Sequence, residues 1–414
     1  MSEIEQAVAE LEARAATTPH DVNALAALGS ALRRAGRTDE AIDCFHRAIK
    51  LSPEVAELWF NLGNAQAAKD KAAALESYRR AVELRPDMGM AHFNVGNTLR
   101  NLGRLEEAEA AYRGALTLMP RHGILMMNLG NLLRRMGRLD EAIVCHQRAV
   151  ALEPQRHEIH FNLANALGAK GEREEAIRLY RKALSLRPDF AEAALNLASL
   201  LLNDVADTEV DALIGELIEH DPHSRAALML LARRRLALRR WAEVDEALQR
   251  VLRLGPADAE LHHLRARALV GMGDLDGAVV ACRQALALDP DFVAAYNSLG
   301  AALQSRGDLG AAAEALRQAE RRDPDNPAVL VNLGMVLVAQ SQADQGIALL
   351  QKAVARNPDH AEAACCLGQA LFQVGRLTEG VAACRAAIER QSDHIDAHVN
   401  LATRSAIRAR SPNR

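Results

Sequence analysis

Aromatic side chains make up only 3% of this 414-residue sequence: two Trp, four Tyr and seven Phe. A core with so few large rings must be filled by close backbone approach, and the 49% hydrophobic content rests mainly on Ala and Leu. Neither sign of charge dominates, with 50 Lys and Arg against 54 Asp and Glu. That balance excludes a strong overall field, so nucleic acid is not an expected partner. No apolar run approaches the roughly 18 residues of a membrane span. The N-terminal MSEIEQAVAELEARA is acidic and amphipathic rather than a secretory leader. A cytoplasmic protein with no membrane association is expected. None of the six cysteines (Cys44, Cys145, Cys282, Cys365, Cys366, Cys384) sits in a CxxC spacing. They read as small apolar core residues in a reducing compartment, with the Cys365–Cys366 pair as the one redox candidate. There is no P-loop, nucleophile elbow or HExxH motif. His157 and His160 lie three apart but lack a third ligand. No catalytic residue, cofactor or metal site is expected, and the chain reads as a non-enzyme.

What is present is periodic. Pro19, Pro53, Pro86, Pro120, Pro154, Pro188, Pro222, Pro256, Pro290, Pro324 and Pro358 follow one another in steps of 34 residues, except for one step of 33 after Pro53. The deletion falls near Asp70. The stretch His92–Pro120, HFNVGNTLRNLGRLEEAEAAYRGALTLMP, shows the unit most clearly. Val95, Leu99 and Leu102 form one helical stripe. Gly103 ends that helix where a positive φ is needed. Glu106 and Glu107 open a second helix at the positive end of its dipole. Ala108, Tyr112 and Ala115 form its apolar stripe, and Pro120 stops it. Turn glycines recur at Gly36, Gly103, Gly137, Gly171, Gly273, Gly307 and Gly375. A larger residue recurs on the second helix at Phe45, Tyr78, Tyr112, Tyr180 and Leu316. His92, His160, His262 and His398 share a position with Trp59 and Tyr296, and are expected to pack between units.

This 34-residue pattern resembles the tetratricopeptide repeat (TPR). The resemblance implies an all-α fold, a right-handed TPR superhelix (α-solenoid) of antiparallel helix hairpins, with first helices on the concave face. The expected organisation is an N-terminal capping helix in 1–21 and repeats 1–5 in 22–190. Degenerate repeats 6–7 follow in 191–258, repeats 8–11 in 259–394, and a C-terminal capping helix with a basic tail in 395–414. The region 191–258 lacks the turn Gly and carries Val210 and Val244 at a small-residue position. It reads as a local irregularity of pitch rather than a flexible joint, because Pro222 and Pro256 hold the phase.

The candidate site lies on the first helices. Repeats 2–5 read Phe60-Asn61-Leu62-Gly63-Asn64, Phe93-Asn94-Val95-Gly96-Asn97, Met127-Asn128-Leu129-Gly130-Asn131 and Phe161-Asn162-Leu163-Ala164-Asn165, and Asn196 continues the series. The Phe or Met, the first Asn and the second Asn are expected to face the groove. An amide offers an acceptor and two donors, matching the main chain of an extended peptide. Arg33, Arg34, Arg100, Arg134 and Arg135, one turn on, would add attraction for acidic segments. The double asparagine row resembles that of O-linked N-acetylglucosamine transferases, whose inner asparagines hold peptide. The resemblance carries to Asn61, Asn94, Asn128, Asn162 and Asn196. It fails at Leu230, Leu264, Ser298 and Cys366, and that family's catalytic domain is lacking.

The second half has a different lining, including Arg233, Arg267, Asn297, Gln304, Met335, Gln369 and Phe372. Its basic run Arg233–Arg235 with Arg239 and Arg240 reads as a solvated face or a partner contact. The expected function is a scaffold that binds extended segments of other proteins. A second reading is a targeting or regulatory subunit of a separately encoded glycosyl- or sulfo-transferase. A third is self-association through the repeats.

Overall fold

The computed structural model describes residues 3–204 and 208–410, and all its regular elements are α-helices. They run from Glu3–Thr17 to Ile395–Arg410, 24 in number among the described residues. Between these end helices they pair as hairpins, such as Gly89–Asn101 with Leu105–Leu118 and Gly123–Arg135 with Leu139–Leu152. The chain divides into two compact units, Met1–Leu197 and Ala198–Arg414. The division falls inside helix Ala191–Leu201. The basic tail expected at the C-terminus (Arg404, Arg408, Arg410, Arg414) lies outside the residues whose side chains are described.

Each hairpin closes as its sequence dictates. All seven turn glycines adopt φ between 78° and 92°, the left-handed conformation that costs other residues steric strain. Where the glycine is missing, the same geometry is imposed on Arg239 (φ 56°) and Ser341 (φ 65°). The shortened turn instead ends on Asp70, whose carboxylate caps the next helix through Ala72 N (2.9 Å) and Ala73 N (3.0 Å). An Arg following the turn Gly forms a bidentate pair with the Glu three residues on. Arg104 meets Glu107 at 2.6 and 2.7 Å, and Arg138 meets Glu141 in the same way. These pairs are exposed and worth about 0.3–0.5 kcal/mol each.

Close approach builds the core. A Cβ on Gly96 would sit 2.6 Å from the Tyr112 ring, and one on Gly63 2.7 Å from Tyr78. Ala108, Tyr112 and Ala115 are fully buried, as are Leu99 and Val95 to within a few per cent. Leu102, read as part of the apolar stripe, is 39% exposed instead. It directly precedes Gly103, where the helix has ended and the chain turns outward. First helices pack on one another across hairpins, as Gly123–Arg135 does with His157–Lys170, whereas successive second helices meet through exposed ion pairs such as Arg79–Glu107 and Arg113–Glu141. First helices therefore line the tighter, concave side.

The fourth-position residues do more than fill space. Trp59 Nε1 donates to Pro53 O (2.8 Å), and ring nitrogens of His92, His160 and His398 donate to the carbonyls of Pro86, Pro154 and Ser392 (2.8–2.9 Å). Each ties a first helix to the loop that precedes it, satisfying a carbonyl the helices leave without a partner.

The basic run is a correction. Arg234 is buried, not solvated. Its guanidinium donates to Asp211 (3.1 and 3.2 Å), Leu202 O (3.2 Å) and Asp204 O (2.7 Å), and Arg235 donates to the other oxygen of Asp211 (2.7 Å). These bonds tie Leu202, Asp204 and Asp211 to helix Arg225–Ala237. The charge is buried because a carboxylate and two loop carbonyls meet it there.

Candidate functional site

The asparagines of the first unit form a ladder. Tyr78 Oη donates to Asn64 Oδ1 (2.9 Å), and Asn94 Nδ2, one hairpin on, donates to the same oxygen (3.0 Å). The next rung repeats this with Tyr112 and Asn128 on Asn97 Oδ1 (2.7 and 3.1 Å). A further rung has Tyr180 and Asn196 on Asn165 Oδ1 (2.6 and 2.9 Å). Burial pushes the hydroxyls of Tyr78 and Tyr112 up to about 12, so they stay protonated and donate. The three tyrosines were legible in the sequence only as gap fillers. Their shared period with the asparagines was the signal for this second role.

Rung bonds spend some of each amide but not all of it. Both lone pairs of Asn64, Asn97 and Asn165 Oδ1 are occupied, leaving two N–H donors on each. Asn94 and Asn128 keep the oxygen and one N–H, whereas Asn196 Nδ2 also donates to Tyr180 Oη (3.4 Å) and keeps the oxygen. All six side chains are half-buried, so the unspent groups border the concave surface. Asn64, Asn94 and Asn97 line one concavity with Arg33, Lys71 and Thr98.

Asn61, Asn131 and Asn162 stand outside the ladder. Asn61 has no hydrogen-bond partner among the described residues. At the rung between Gly123–Arg135 and His157–Lys170, His146 replaces the tyrosine. Asn131 Oδ1 and both His146 ring nitrogens are buried without partners, and Asn162 Nδ2 turns back to Glu158 O (2.8 Å). Burial, helped by the nearby Arg134 charge, lowers the His146 pKa to about 4.

The apolar row is partly withdrawn from the groove. Phe93 is only 9% exposed, packed on Tyr112 and His122 with ring centroids 6.0 and 5.8 Å away. It belongs to the wall, a correction to its reading as a ligand contact. Phe60, Met127 and Phe161 remain half-buried, with the Phe161 ring tilted 58° against Phe190 at 4.9 Å between centroids. Arg33, Arg34, Arg100, Arg134 and Arg135 have no ion-pair partner among the described residues, unlike the arginines of the hairpin turns. The described residues contain no group of three or more His, Cys, Asp or Glu able to hold a metal. His157 instead meets Glu158 (3.2 Å) and the Phe190 ring. No described helix is long and apolar enough to cross a membrane. All six cysteines are unpaired thiols, and burial pushes Cys282 and Cys366 up to about 12 and Cys365 to about 11.

Two family models, both described as tetratricopeptide repeat, match the chain. One covers residues 2–50, 26–88, 263–327 and 331–395, and the other 87–155 and 121–189. Neither reaches the interval 190–262. No curated protein matches the sequence. Among solved structures, yeast Tom70 is similar over 94% of this chain and 97% of its own, at 16% identity and a TM-score of 0.50. A tetratricopeptide repeat protein from Parabacteroides merdae is similar over 60% of this chain and 98% of its own, at 20% identity and a TM-score of 0.52. At these identities the likeness is one of fold.

Proposed function

The chain belongs to the tetratricopeptide repeat family, and from that premise we propose that it is a non-enzymatic scaffold whose first unit binds extended segments of partner proteins. The observation that carries this reading is the unspent capacity of the ladder. Half-buried amides offer donors and acceptors at one-hairpin intervals along the concave side. Main-chain N–H and C=O groups of an extended segment present the complementary pattern whatever its sequence. The unpaired Arg33, Arg100 and Arg134 bias the choice towards acidic segments. Asn61, Asn64, Asn94, Asn97, Asn128, Asn131, Asn162, Asn165 and Asn196 are the proposed contacts to main chain. Phe60, Met127 and Phe161 supply apolar contact.

The test needs variants that spare the ladder. Asn94 and Asn128 donate along it, so replacing them would perturb packing as well as binding. Asn61 and Asn162 make no ladder bond, and Arg100 and Arg134 are unpaired. A fluorescent, reduced and carboxymethylated polypeptide, permanently unfolded and acidic, serves as probe in an anisotropy titration. Salt-sensitive binding is expected, weakened at least tenfold by Asn61→Ala, Asn162→Ala, Arg100→Ala and Arg134→Ala combined, with unchanged helicity. Equal affinity of variant and native chain would refute the assignment.

A further inference from the structure

The amides of the ladder keep different things, and they stand in two rows. Asn64, Asn97 and Asn165 each have both lone pairs of Oδ1 engaged, one by a tyrosine hydroxyl and one by the amide of the next hairpin. Their nitrogens donate to no group among the described residues, yet none of them is buried without a partner, so each reaches solvent. This row therefore offers N–H groups and nothing else. The free oxygens lie in the other row, on Asn94, Asn128 and Asn196.

A row of rings stands beside the donor row. Phe60 and Phe161 are half-buried and lean on Tyr78 and Tyr180, with ring centroids 5.9 Å apart in both pairs. The tyrosine that occupies the Asn64 or Asn165 oxygen thus also props the neighbouring ring. An ordinary extended segment brings one N–H for each C=O, and an N–H turned towards the donor row finds no acceptor there. Proline brings the carbonyl without the N–H. It also favours the polyproline II form, in which every carbonyl is free and three residues advance about 9.3 Å. Amide-to-amide bonds join successive first helices of the ladder, and packed helices lie about 8–10 Å apart. One turn of such a segment therefore advances by about one rung, and aromatic faces are the surface on which its rings dock.

We propose that the groove of the first unit selects proline-rich segments of partner proteins, whose carbonyls accept from Asn64, Asn97 and Asn165 and whose prolyl rings lie on Phe60 and Phe161. This rests on the reading of that groove as a main-chain site and adds the class of segment it prefers. The oxygens of Asn94, Asn128 and Asn196 take the N–H groups of residues between the prolines.

The test uses the full chain and two fluorescent probes of equal length and charge, fifteen-residue repeats of Pro-Pro-Glu and of Gly-Ser-Glu, in anisotropy titrations. The proline probe is expected to bind at least tenfold tighter. Asn97→Asp keeps one oxygen for Tyr112 and Asn128 and turns the free N–H donors into a second oxygen. It should cut the preference to less than threefold, as should Asn64→Asp one hairpin earlier. Asn101→Asp adds the same charge at an exposed position of the helix that carries Asn97, and it should leave the preference intact. Circular dichroism confirms that each variant is folded. Equal affinity for the two probes, or tighter binding of the Gly-Ser-Glu probe, would overturn the preference for proline and leave the main-chain reading standing. Binding of neither probe would overturn both. A preference that survives Asn64→Asp and Asn97→Asp combined, or that is lost equally in Asn101→Asp, would also overturn the proposal.

Discussion

Replacing His146 with Tyr should stabilise the first unit, and more so in acid. The ring of His146 lies over Gly130, where a Cβ would come within 2.7 Å of it. Tyr78 and Tyr112 lie over Gly63 and Gly96 in the same way, so the backbone already has the shape a tyrosine needs. The new hydroxyl would donate to Asn131 Oδ1, which now has no partner. A net hydrogen bond contributes about 0.5–1.5 kcal/mol, and relieving a buried unsatisfied group about 1–3 kcal/mol, so a gain of roughly 2 kcal/mol at pH 7 is expected. The pH dependence follows from the folded pKa of about 4 against 6.5 for a free histidine. Folding favours the neutral ring, so this group costs nothing above pH 6.5. As pH falls from 6.5 to about 4 the unfolded chain takes up the proton and stability is lost. Between pH 7 and pH 5 that loss is about 2 kcal/mol, and it disappears in the Tyr variant. Repeat stacks open locally, so hydrogen exchange of amides 123–152 at both pH values is a better assay than one global melt. A variant no more protected than the native chain, or a gain identical at pH 7 and pH 5, would refute the unsatisfied-rung argument.

Three further outcomes are expected. Arg239→Gly and Ser341→Gly should each raise stability by about 1 kcal/mol in urea titrations, because both residues now sit at positive φ. Arg234→Ala should cost about 3 kcal/mol and speed exchange across 208–220, since the carbonyls of Leu202 and Asp204 lose their donor and Asp211 keeps only Arg235; unchanged exchange there would argue against the clamp. Cys282 and Cys366, buried and with pKa values near 12, should react with a neutral-pH thiol reagent only on unfolding, which a comparison of labelling with and without urea reads directly.

The fold was legible because its information is local. Prolines, turn glycines and the alternation of small and large residues specify each helix end and each contact between adjacent helices. In a repeat stack those contacts are nearly all there are. The positive φ at all seven turn glycines follows from sequence alone. So does the pairing of Gly96 with Tyr112, since one residue's missing side chain makes room for the other's ring. What the period could not reveal is how polar atoms are spent between hairpins. Whether Asn94 faces a ligand or its neighbour depends on the distance to Asn64, 30 residues away, and hairpin spacing sets that distance. Arg234 was read as solvated because its neighbours in sequence are basic, while the carboxylate that buries it lies on another helix. Phe93 left the groove because Tyr112 and His122 close over it. Sequence determined which groups lie on the concave side, because helical and repeat periods fix direction. Only the tertiary structure decided which of them keep a free lone pair, N–H or charge, because hydrogen-bond pairing is settled over a few tenths of an ångström between separate helices.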